Sequence, residues 1–306
     1  MIELRNVVKE YGGKRVVDDL SFTVGRGQFC VLVGSSGSGK STTLKLVNRL
    51  VPLTSGSIRV GGEDIAQVPP EALRRRIGYA IQSIGLFPHW SVERNIATVP
   101  RLLKWPEARI AERVRELMAL VRLDAEHLGK YPHQLSGGQQ QRVGLARALA
   151  GDPEVLLMDE PLGALDPITR HALAEELARI HAATGKTILF VTHDMDEALR
   201  LADVVAILHD GRLVQFGPPR DILENPAGDF VRDLVGRSEA GLKLLALSPV
   251  SERLHRGEIS AGEPVDPAIS LRDALSQMIL RRADRLPVAD AAGGIAGSVL
   301  LADMVR

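Results

Sequence analysis

Short runs of apolar residues alternate with longer segments of helical period through about the first three quarters of the chain. These runs are Phe29–Val33, Glu154–Met158, Thr187–Val191 and Val204–Leu208. Apolar strands separated by helices are typical of a mainly parallel sheet that is covered by helices on both faces. The pattern therefore predicts an α/β fold.

A different pattern occupies Glu107–Leu123, where apolar residues recur at the spacing of one helical face. These apolar residues are Ile110, Val114, Leu117, Met118 and Val121. We expect this helix to lie in a helical subdomain of about residues 83–150, inserted between segments of the sheet.

The end of the chain differs from both. Prolines punctuate short helices at residues 218–226, and residues 237–262 have mixed polarity without a clear period. We therefore predict one domain at 1–236, a linker at 237–262 and a small α/β unit at 263–306. In the unit at 263–306 we predict a helix with one apolar face, formed by Leu271, Leu275, Met278 and Ile279. Two strands, Leu286–Ala289 and Ile295–Leu301, follow on either side of a turn at Ala291–Gly294.

Composition and charge narrow the class of protein. The 306 residues are 45% hydrophobic and 25% charged, a balance that suits a globular protein with a core. Lysine plus arginine and aspartate plus glutamate number 38 each, whereas a chain that grips nucleic acid is usually strongly basic. Nucleic acid is therefore disfavoured as a partner. The single cysteine, Cys30, lies in an apolar run, which predicts a core position and a reduced compartment.

A glycine-rich segment follows one predicted strand and precedes the helical run Thr43–Leu50. Its residues are Gly34, Ser35, Ser36, Gly37, Ser38, Gly39, Lys40, Ser41 and Thr42. Glycines let the backbone curl so that its N–H groups and the helix N-terminus face phosphate groups. We expect Lys40 to neutralise β- and γ-phosphate oxygens and the Ser41 hydroxyl to bind Mg²⁺. A glycine-rich turn that only caps a helix is the simpler alternative.

Two further predicted strands end in polar side chains. Glu154–Met158 leads into Asp159 and Glu160, and Thr187–Val191 leads towards His193. Open α/β sheets bind their ligands at the carboxyl ends of their strands. We expect Asp159 to join the Mg²⁺ site and Glu160 to polarise the attacking water as a general base. His193 is expected to contact the γ-phosphate and to orient that water.

The segment that gives the most specific indication of function is Leu135–Arg142. Ser136 can cap a helix there, and Gln139 can complete a capping box. Gly137 and Gly138 occupy the first turn, at a cost of about 1 kcal/mol each to helix stability. Glycines at an exposed helix N-terminus allow a close approach to the backbone, and a phosphate is the obvious ligand. A well-capped amphipathic helix without a ligand is the alternative.

In this order, the motifs resemble those of the ABC transporter ATPases, over about residues 1–236. The resemblance implies a P-loop NTPase cassette with a mainly parallel sheet, an N-terminal antiparallel β-subdomain and a helical subdomain. Tyr11 resembles the aromatic residue that stacks on adenine, with a half-buried core ring as the alternative. Gln82 matches the glutamine that contacts Mg²⁺ or water and senses the membrane subunits. Asp166 matches the loop that crosses the dimer interface.

The resemblance also implies ligands and partners. ATP and Mg²⁺ would bind between two cassettes of a head-to-tail homodimer, with Lys40 of one chain facing Ser136, Gly137, Gly138 and Gln139 of the other. Integral-membrane permease subunits, and through them an extracytoplasmic solute-binding protein, would complete the transporter. The chain would be a peripheral subunit at the cytoplasmic face of the cell inner membrane.

The segment from Gln82 to Pro100 is similar to the osmoprotectant branch of importers, which take up glycine betaine, choline, carnitine and proline betaine. Tyr131–Gln134, before the Leu135 segment, also favours an importer, and we expect no fused membrane span. Related stretches occur in polyamine and methionine importers. An importer of another small solute, such as an amino acid or a polyamine, is therefore the alternative.

The C-terminal unit resembles a single CBS module, through Ile269–Met278, Leu286–Asp290 and Gly297–Asp303. Osmoprotectant ATPases often carry such modules as regulatory tails, normally in pairs, whereas one copy is visible here. Leu300 stands where nucleotide-binding modules have Thr or Ser, while Asp303 is kept. The resemblance leaves a sensor and a structural or dimer-bracing tail as alternatives.

Other classes of P-loop protein fit the sequence less well. Soluble ABC ATPases that act on ribosomes usually carry two cassettes, and those of DNA repair insert long coiled coils, neither of which is visible. A P-loop kinase would leave Leu135–Arg142 unexplained. The sequence therefore predicts the ATP-hydrolysing subunit of an importer.

Overall fold

The computed structural model divides into two compact units, Met1–Pro218 and Pro219–Arg306. The residues that the structure describes are 1–81, 85–163, 165–257, 260–290 and 293–305. Among the helices of these segments, none combines the length and the apolar character that crossing a lipid bilayer requires.

The first unit contains both sheets of the predicted cassette and the helices that cover them. Its strands are β1 (Ile2–Tyr11), β2 (Lys14–Val24), β3 (Phe29–Gly34), β4 (Ser55–Val60), β5 (Glu63–Asp64), β6 (Ile77–Ile81), β7 (Val155–Asp159), β8 (Thr187–Val191), β9 (Val204–His209) and β10 (Arg212–Gly217). Its helices are α1 (Lys40–Val47), α2 (Pro70–Arg76), α3 (Val92–Ile96), α4 (Thr98–Leu102), α5 (Glu107–Leu120), α6 (Gly137–Leu149), α7 (Pro167–Thr184) and α8 (Met195–Leu201).

The main sheet has the strand order β10-β9-β3-β8-β7-β6. Every neighbouring pair is parallel except β10 with β9, which are antiparallel. All residues of β3 and β8 are buried, as continuous apolar runs require in a sheet with both faces covered. The predicted mainly parallel α/β fold is confirmed.

The register of this sheet brings several strand ends to one edge. Asp159, the last residue of β7, is aligned with Ile81 of β6 and with Val191 of β8. Val191 is also aligned with Leu32, two residues before the end of β3. The segments that follow β3, β7 and β8 therefore leave the sheet side by side, where open α/β folds bind ligands.

The remaining strands of the first unit form a separate, smaller antiparallel sheet in the order β2-β1-β4-β5. Alternate residues along β2 are buried, among them Leu20, Phe22 and Val24, so that one face of the strand packs into the core. This sheet is the N-terminal β-subdomain that the resemblance implied.

Helix α5 matches the apolar stripe found in the sequence. Its buried residues are Ile110, Val114, Leu117 and Met118, and it packs against α6. The helix is shorter than the predicted segment, because it ends at Leu120 and Arg122 adopts the left-handed conformation with φ 51°. That conformation is incompatible with a continuing right-handed helix.

The second unit has a core of its own, formed by a three-stranded antiparallel sheet in the order β11-β13-β12 and by helix α12. Its elements are α9 (Pro219–Glu224), α10 (Asp229–Val235), α11 (Ala240–Leu247), β11 (His255–Arg256), α12 (Leu271–Arg281), β12 (Arg285–Ala289) and β13 (Ile295–Leu300). The predicted helix and both predicted strands are present.

Three details of the second unit differ from the sequence-based expectation. Helices α9 and α10 precede the predicted boundary at residue 236 but cluster with the C-terminal residues. The predicted linker contains the regular helix α11, which packs against α9 and α12. Ile279, expected on the inner face of α12, is 68% exposed, while Leu271 and Met278 of the same face are buried.

Candidate active site

The segment Gly34–Thr42, called the phosphate loop below, connects β3 to α1 as predicted. Gly39 precedes α1 with φ 93°, and a Cβ there would lie 2.5 Å from the carbonyl oxygen of Val16 on β2. Gly34 has φ 152°, and a Cβ there would lie 2.0 Å from the carbonyl oxygen of Leu208. Side chains are excluded at both positions, so the loop can pass close to its neighbours only with glycine.

Lys40 lies across this loop with its ammonium group inside the curl of the backbone. Its Nζ donates hydrogen bonds of 2.8 Å to the carbonyl oxygens of Gly34 and Ser35, and it lies 3.4 Å from Ser38 Oγ. Burial lowers the pKa of Lys40, and the carboxylates of Glu160 and Asp159 oppose that effect. A buried cation surrounded by loop carbonyls can exchange these partners for phosphate oxygens.

Ser41 and Asp159 meet at the junction of the phosphate loop and β7. The Ser41 hydroxyl donates a 2.7 Å hydrogen bond to Asp159 Oδ1. Both groups are hard oxygen donors, and Mg²⁺ is usually held by one or two carboxylates together with waters and substrate phosphates. The pair therefore fits Mg²⁺, the ion that the sequence predicts both residues to bind.

Glu160 and His193 form the second pair at this edge. His193 Nδ1 lies 3.1 Å from Glu160 Oε2, and the Glu160 backbone N–H donates a 3.0 Å hydrogen bond to the carbonyl of Val191. Glu160 has φ 46°, a left-handed conformation that is uncommon outside glycine and recurs at functional sites. The His193 side chain is 59% exposed, so that its ring is open to a ligand.

The segment Ser136–Gln139, called the signature turn below, begins α6 with the predicted capping box. Ser136 Oγ accepts a 3.3 Å hydrogen bond from the Gln139 N–H, and Gln139 Oε1 accepts a 2.9 Å hydrogen bond from the Ser136 N–H. A cavity of about 400 Å³ opens beside this turn and is lined by Ser136, Gly138, Gln139 and residues of α7. Within the described residues, its lining includes no member of the phosphate loop.

Three other predicted residues lie around these groups. Tyr11 ends β1 and is 48% exposed, with Lys9 Nζ 4.5 Å from its ring centroid, so it is no core residue. Asp166 caps α7 by accepting 3.1 Å hydrogen bonds from the N–H groups of Ile168 and Thr169, and hydrogen bonds from Thr169 lower its pKa. Gln82 follows β6 and lies outside the described residues.

Comparisons with known proteins agree with this geometry. The family model for ABC transporters matches residues 17–163. The chain is 55% identical over 305 residues to the glycine betaine uptake system ATP-binding protein YehX of Escherichia coli, covering 100% of this chain and 99% of that protein. It is 47% identical to the glycine betaine/carnitine/choline transport ATP-binding protein OpuCA of Bacillus subtilis, covering 98% of this chain and 78% of the relative.

The chain belongs to the ATP-binding subunits of ABC transporters. A solved structure described as a dimeric post-hydrolysis state of the ATP-binding cassette MJ0796, bound to ADP and Pi, is 31% identical. Its TM-score is 0.64, with 72% of this chain and 99% of that chain covered. The first unit is thus an ABC cassette, and the protein is an ABC-type ATPase.

The cassette also contains functional-site neighbours that sequence reasoning missed. Thr192 and Glu197 are buried behind His193, and the Thr192 hydroxyl donates a 2.6 Å hydrogen bond to Glu197 Oε2. Burial raises the pKa of Glu197. Arg170 of α7 lies 3.9 Å from Glu197 and donates a 3.1 Å hydrogen bond to the carbonyl of Leu165. These contacts join the segment before Asp166 to the His193 segment, and no local pattern in the sequence indicates them.

A second neighbour missed from the sequence is His127, whose ring lies next to Gln139. His127 Nε2 is 3.2 Å from Gln139 Nε2, and the His127 side chain is 10% exposed. A single histidine outside a periodic segment gives no pattern, so the sequence offered little to connect it with the signature turn, which begins nine residues later.

Proposed function

We propose that this ATPase drives uptake of osmoprotectants, such as glycine betaine, choline or carnitine, through an ABC importer in the bacterial cytoplasmic membrane. The observation that carries the proposal is the 55% identity over practically the whole length of a glycine betaine uptake ATPase. Whole-length identity includes the C-terminal unit as well as the cassette. Relatives in putrescine transport are 43% identical over 77% of this chain, so they match less of it and match it less closely.

In the proposed mechanism, the phosphate loop binds the ATP phosphates. The backbone N–H groups of the loop and the N-terminus of α1 face the phosphate oxygens, and Lys40 leaves its loop carbonyls to neutralise them. Ser41 and Asp159 would hold Mg²⁺, which supplies charge neutralisation for the leaving phosphate oxygens when bound. Tyr11 ends β1, and the next strand, β2, approaches the phosphate loop at Val16. From this position Tyr11 would stack on the adenine ring.

Hydrolysis itself is assigned to Glu160 and His193, which follow β7 and β8. The Glu160 carboxylate accepts a proton from water as that water attacks the γ-phosphate. His193 has one ring nitrogen on Glu160, which leaves the opposite nitrogen to contact the γ-phosphate and to fix the geometry of the attack. From the family resemblance alone, Gln82 would contact Mg²⁺ or water and sense the membrane subunits.

The signature turn would act on the ATP of a second chain. Because its cavity and the phosphate loop are separate surfaces, one chain presents two halves that a head-to-tail homodimer can join. Ser136, Gly137, Gly138 and Gln139 would then contact the partner's nucleotide, and Asp166 would lie at the interface. ATP would stabilise the closed dimer, and hydrolysis would release it.

The importer would need further subunits. Integral-membrane permease subunits would hold this peripheral chain at the cytoplasmic face of the inner membrane, and a solute-binding protein would deliver the solute from outside. The solute is therefore selected by those partners, while the cassette supplies the energy.

Residues 263–306 are proposed to be a partial CBS-like regulatory unit with a mainly structural role. The buried carboxylate of Asp303 lies 3.0 and 3.1 Å from His255 Nε2 and accepts a 2.9 Å hydrogen bond from the Leu300 N–H. A carboxylate that is already paired with His255 and with the Leu300 N–H is less available to a nucleotide. This supports a structural role over nucleotide sensing.

The test is to reconstitute the chain with its permease and solute-binding protein, and to measure stimulation of ATP hydrolysis by a panel of solutes. Glycine betaine, choline or carnitine should stimulate hydrolysis, and putrescine should not. Stimulation by a polyamine or an amino acid alone would overturn the proposed substrate class while leaving the ATPase assignment intact.

A further inference from the structure

His127 lies in a short 3-10 turn between α5 and α6, where its ring is nearly enclosed. One ring nitrogen, Nδ1, is 3.2 Å from the carbonyl oxygen of Asp124. The other, Nε2, is 3.2 Å from the side-chain nitrogen of Gln139. The ring therefore bridges the backbone of its own segment and the last residue of the signature turn.

The hydrogen bonds around Gln139 determine which nitrogen of His127 carries the hydrogen. The Ser136 N–H can only donate, so the Gln139 side-chain atom 2.9 Å from it must be the oxygen. The Gln139 amide nitrogen, a donor, therefore faces His127, and His127 Nε2 must accept. The hydrogen is then on Nδ1, where the carbonyl of Asp124 accepts it.

We propose that His127 is a positioning residue for the signature turn and that it acts as the neutral ring with its hydrogen on Nδ1. In this form it holds the Gln139 amide in the orientation that completes the capping box with Ser136. The box keeps Gly137 and Gly138, two residues with weak helical preference, in the first turn of α6. This inference rests on the proposed role of that turn in contacting the partner's ATP.

Protonation of His127 would reverse this arrangement. Nε2 would then carry a hydrogen that points at the Gln139 amide nitrogen, so that two donors face each other. Gln139 could relieve the conflict only by turning its amide, which would present a donor to the Ser136 N–H and break the capping box. A protonated His127 is therefore incompatible with the capping box, and acidification should weaken the turn.

Charges of both signs lie beside the ring or pair with a group that does. They are Glu126 and Lys130 of its own segment, Asp124 and Arg122 after α5, Arg142 of α6, and Glu176 of α7, which pairs with Arg142 at 2.9 Å. Glu126, 3.7 Å from Nδ1, is itself paired with Lys130 at 2.9 Å. The group in direct contact with Nε2 is the Gln139 amide, at 3.2 Å.

Two substitutions separate positioning from packing. His127→Gln provides a side-chain oxygen that can accept from Gln139 at every pH, so it should preserve the turn and remove its sensitivity to acid. His127→Phe fills a similar volume without an acceptor and should weaken the turn at every pH. His133→Gln is the matched control, because His133 is exposed and stacks on Tyr131 instead of contacting the turn.

The assay is ATP-driven dimerisation of the full chain carrying Glu160→Gln, measured by sedimentation at about pH 8 and about pH 6. We expect His127→Phe to weaken dimerisation about fivefold or more at the higher pH, since a buried donor loses its partner. Lowering the pH should weaken dimerisation of the parent more than dimerisation of His127→Gln. We expect the two losses to differ by a similar factor, about fivefold. The His133→Gln control should follow the parent.

Equal acid sensitivity in the parent and in His127→Gln, or full dimerisation of His127→Phe, would overturn the inference. Failure of every variant to dimerise with ATP would instead refute the proposed head-to-tail ATP dimer, on which the inference rests. The tautomer is then decided by nitrogen NMR of the histidine rings in the unmutated chain at about pH 8. The signal of His127 is the one that disappears in His127→Gln. If that signal shows the hydrogen on Nδ1, the inference is supported, and if it shows the hydrogen on Nε2, the inference is overturned.

Discussion

Replacing Glu160 by glutamine removes a basic carboxylate and changes little else. Glutamine keeps the size of the side chain and an oxygen that can still accept from His193 Nδ1, 3.1 Å from the present carboxylate. The left-handed backbone at φ 46° stores about 1–3 kcal/mol of strain, but the same N–H to Val191 hydrogen bond holds it in either residue. The fold and the phosphate loop should therefore be unaffected.

The chemistry should nevertheless be lost. A positioned general base contributes about 10²–10⁴-fold to a rate, so we expect the turnover number for hydrolysis to fall by at least about 10²-fold. The dissociation constant for ATP should change by less than about threefold, because Lys40 and the loop N–H groups remain in place. Steady-state phosphate release and nucleotide titration of the purified chain measure the two quantities separately.

Glu154→Gln is the matched control, since Glu154 precedes the opposite end of the same strand and its side chain is exposed next to Arg26. The control should hydrolyse ATP at the parental rate. If Glu160→Gln kept more than about a tenth of that rate, Glu160 would not be the general base. A large loss of ATP affinity in Glu160→Gln would show that the carboxylate acts in binding instead.

Three further predictions follow from the geometry of the site. Lys40→Ala should abolish hydrolysis mainly by weakening ATP binding, and an unchanged affinity in titration would contradict this. A chain ending at Pro218, the last residue of the first unit, should still hydrolyse ATP, because every residue of the proposed site precedes that position, and complete inactivity would show that the cassette needs the second unit. Chains carrying Ser36→Cys and Ser136→Cys should form a disulfide with each other only when mixed with ATP, against a native background in which Cys30 is buried and burial raises its pKa. Crosslinking that is independent of ATP, or absent, would argue against the shared site.

The parts of the site that follow one another in the chain could be predicted from the sequence. The phosphate loop is contiguous, and two of its glycines, Gly34 and Gly39, are required by the close approach of Leu208 and Val16 backbone atoms. Asp159 and His193 could be placed at one edge because parallel strands of buried residues end there in register. These features depend on local sequence and on the general geometry of parallel sheets.

Features that depend on contacts between distant residues could not be predicted. The left-handed conformation of Glu160 is held by Val191, thirty-one positions along the chain, and nothing near Glu160 indicates it. Helix α11 was assigned to a linker because its apolar residues occur on all sides, without the single stripe that reveals an amphipathic helix. The contact of His127 with Gln139 depends on how the 3-10 turn folds back on α6.

ATP-dependent accumulation of labelled glycine betaine tests the central claim most directly. The chain, its permease and the solute-binding protein would be reconstituted in vesicles, with ATP supplied on the side of the cassette. The account predicts accumulation that requires ATP, that is lost with Glu160→Gln and retained with Glu154→Gln, and that choline or carnitine reduces by competition. ATP hydrolysis without accumulation of any of these solutes, or accumulation that persists with Glu160→Gln, would contradict it.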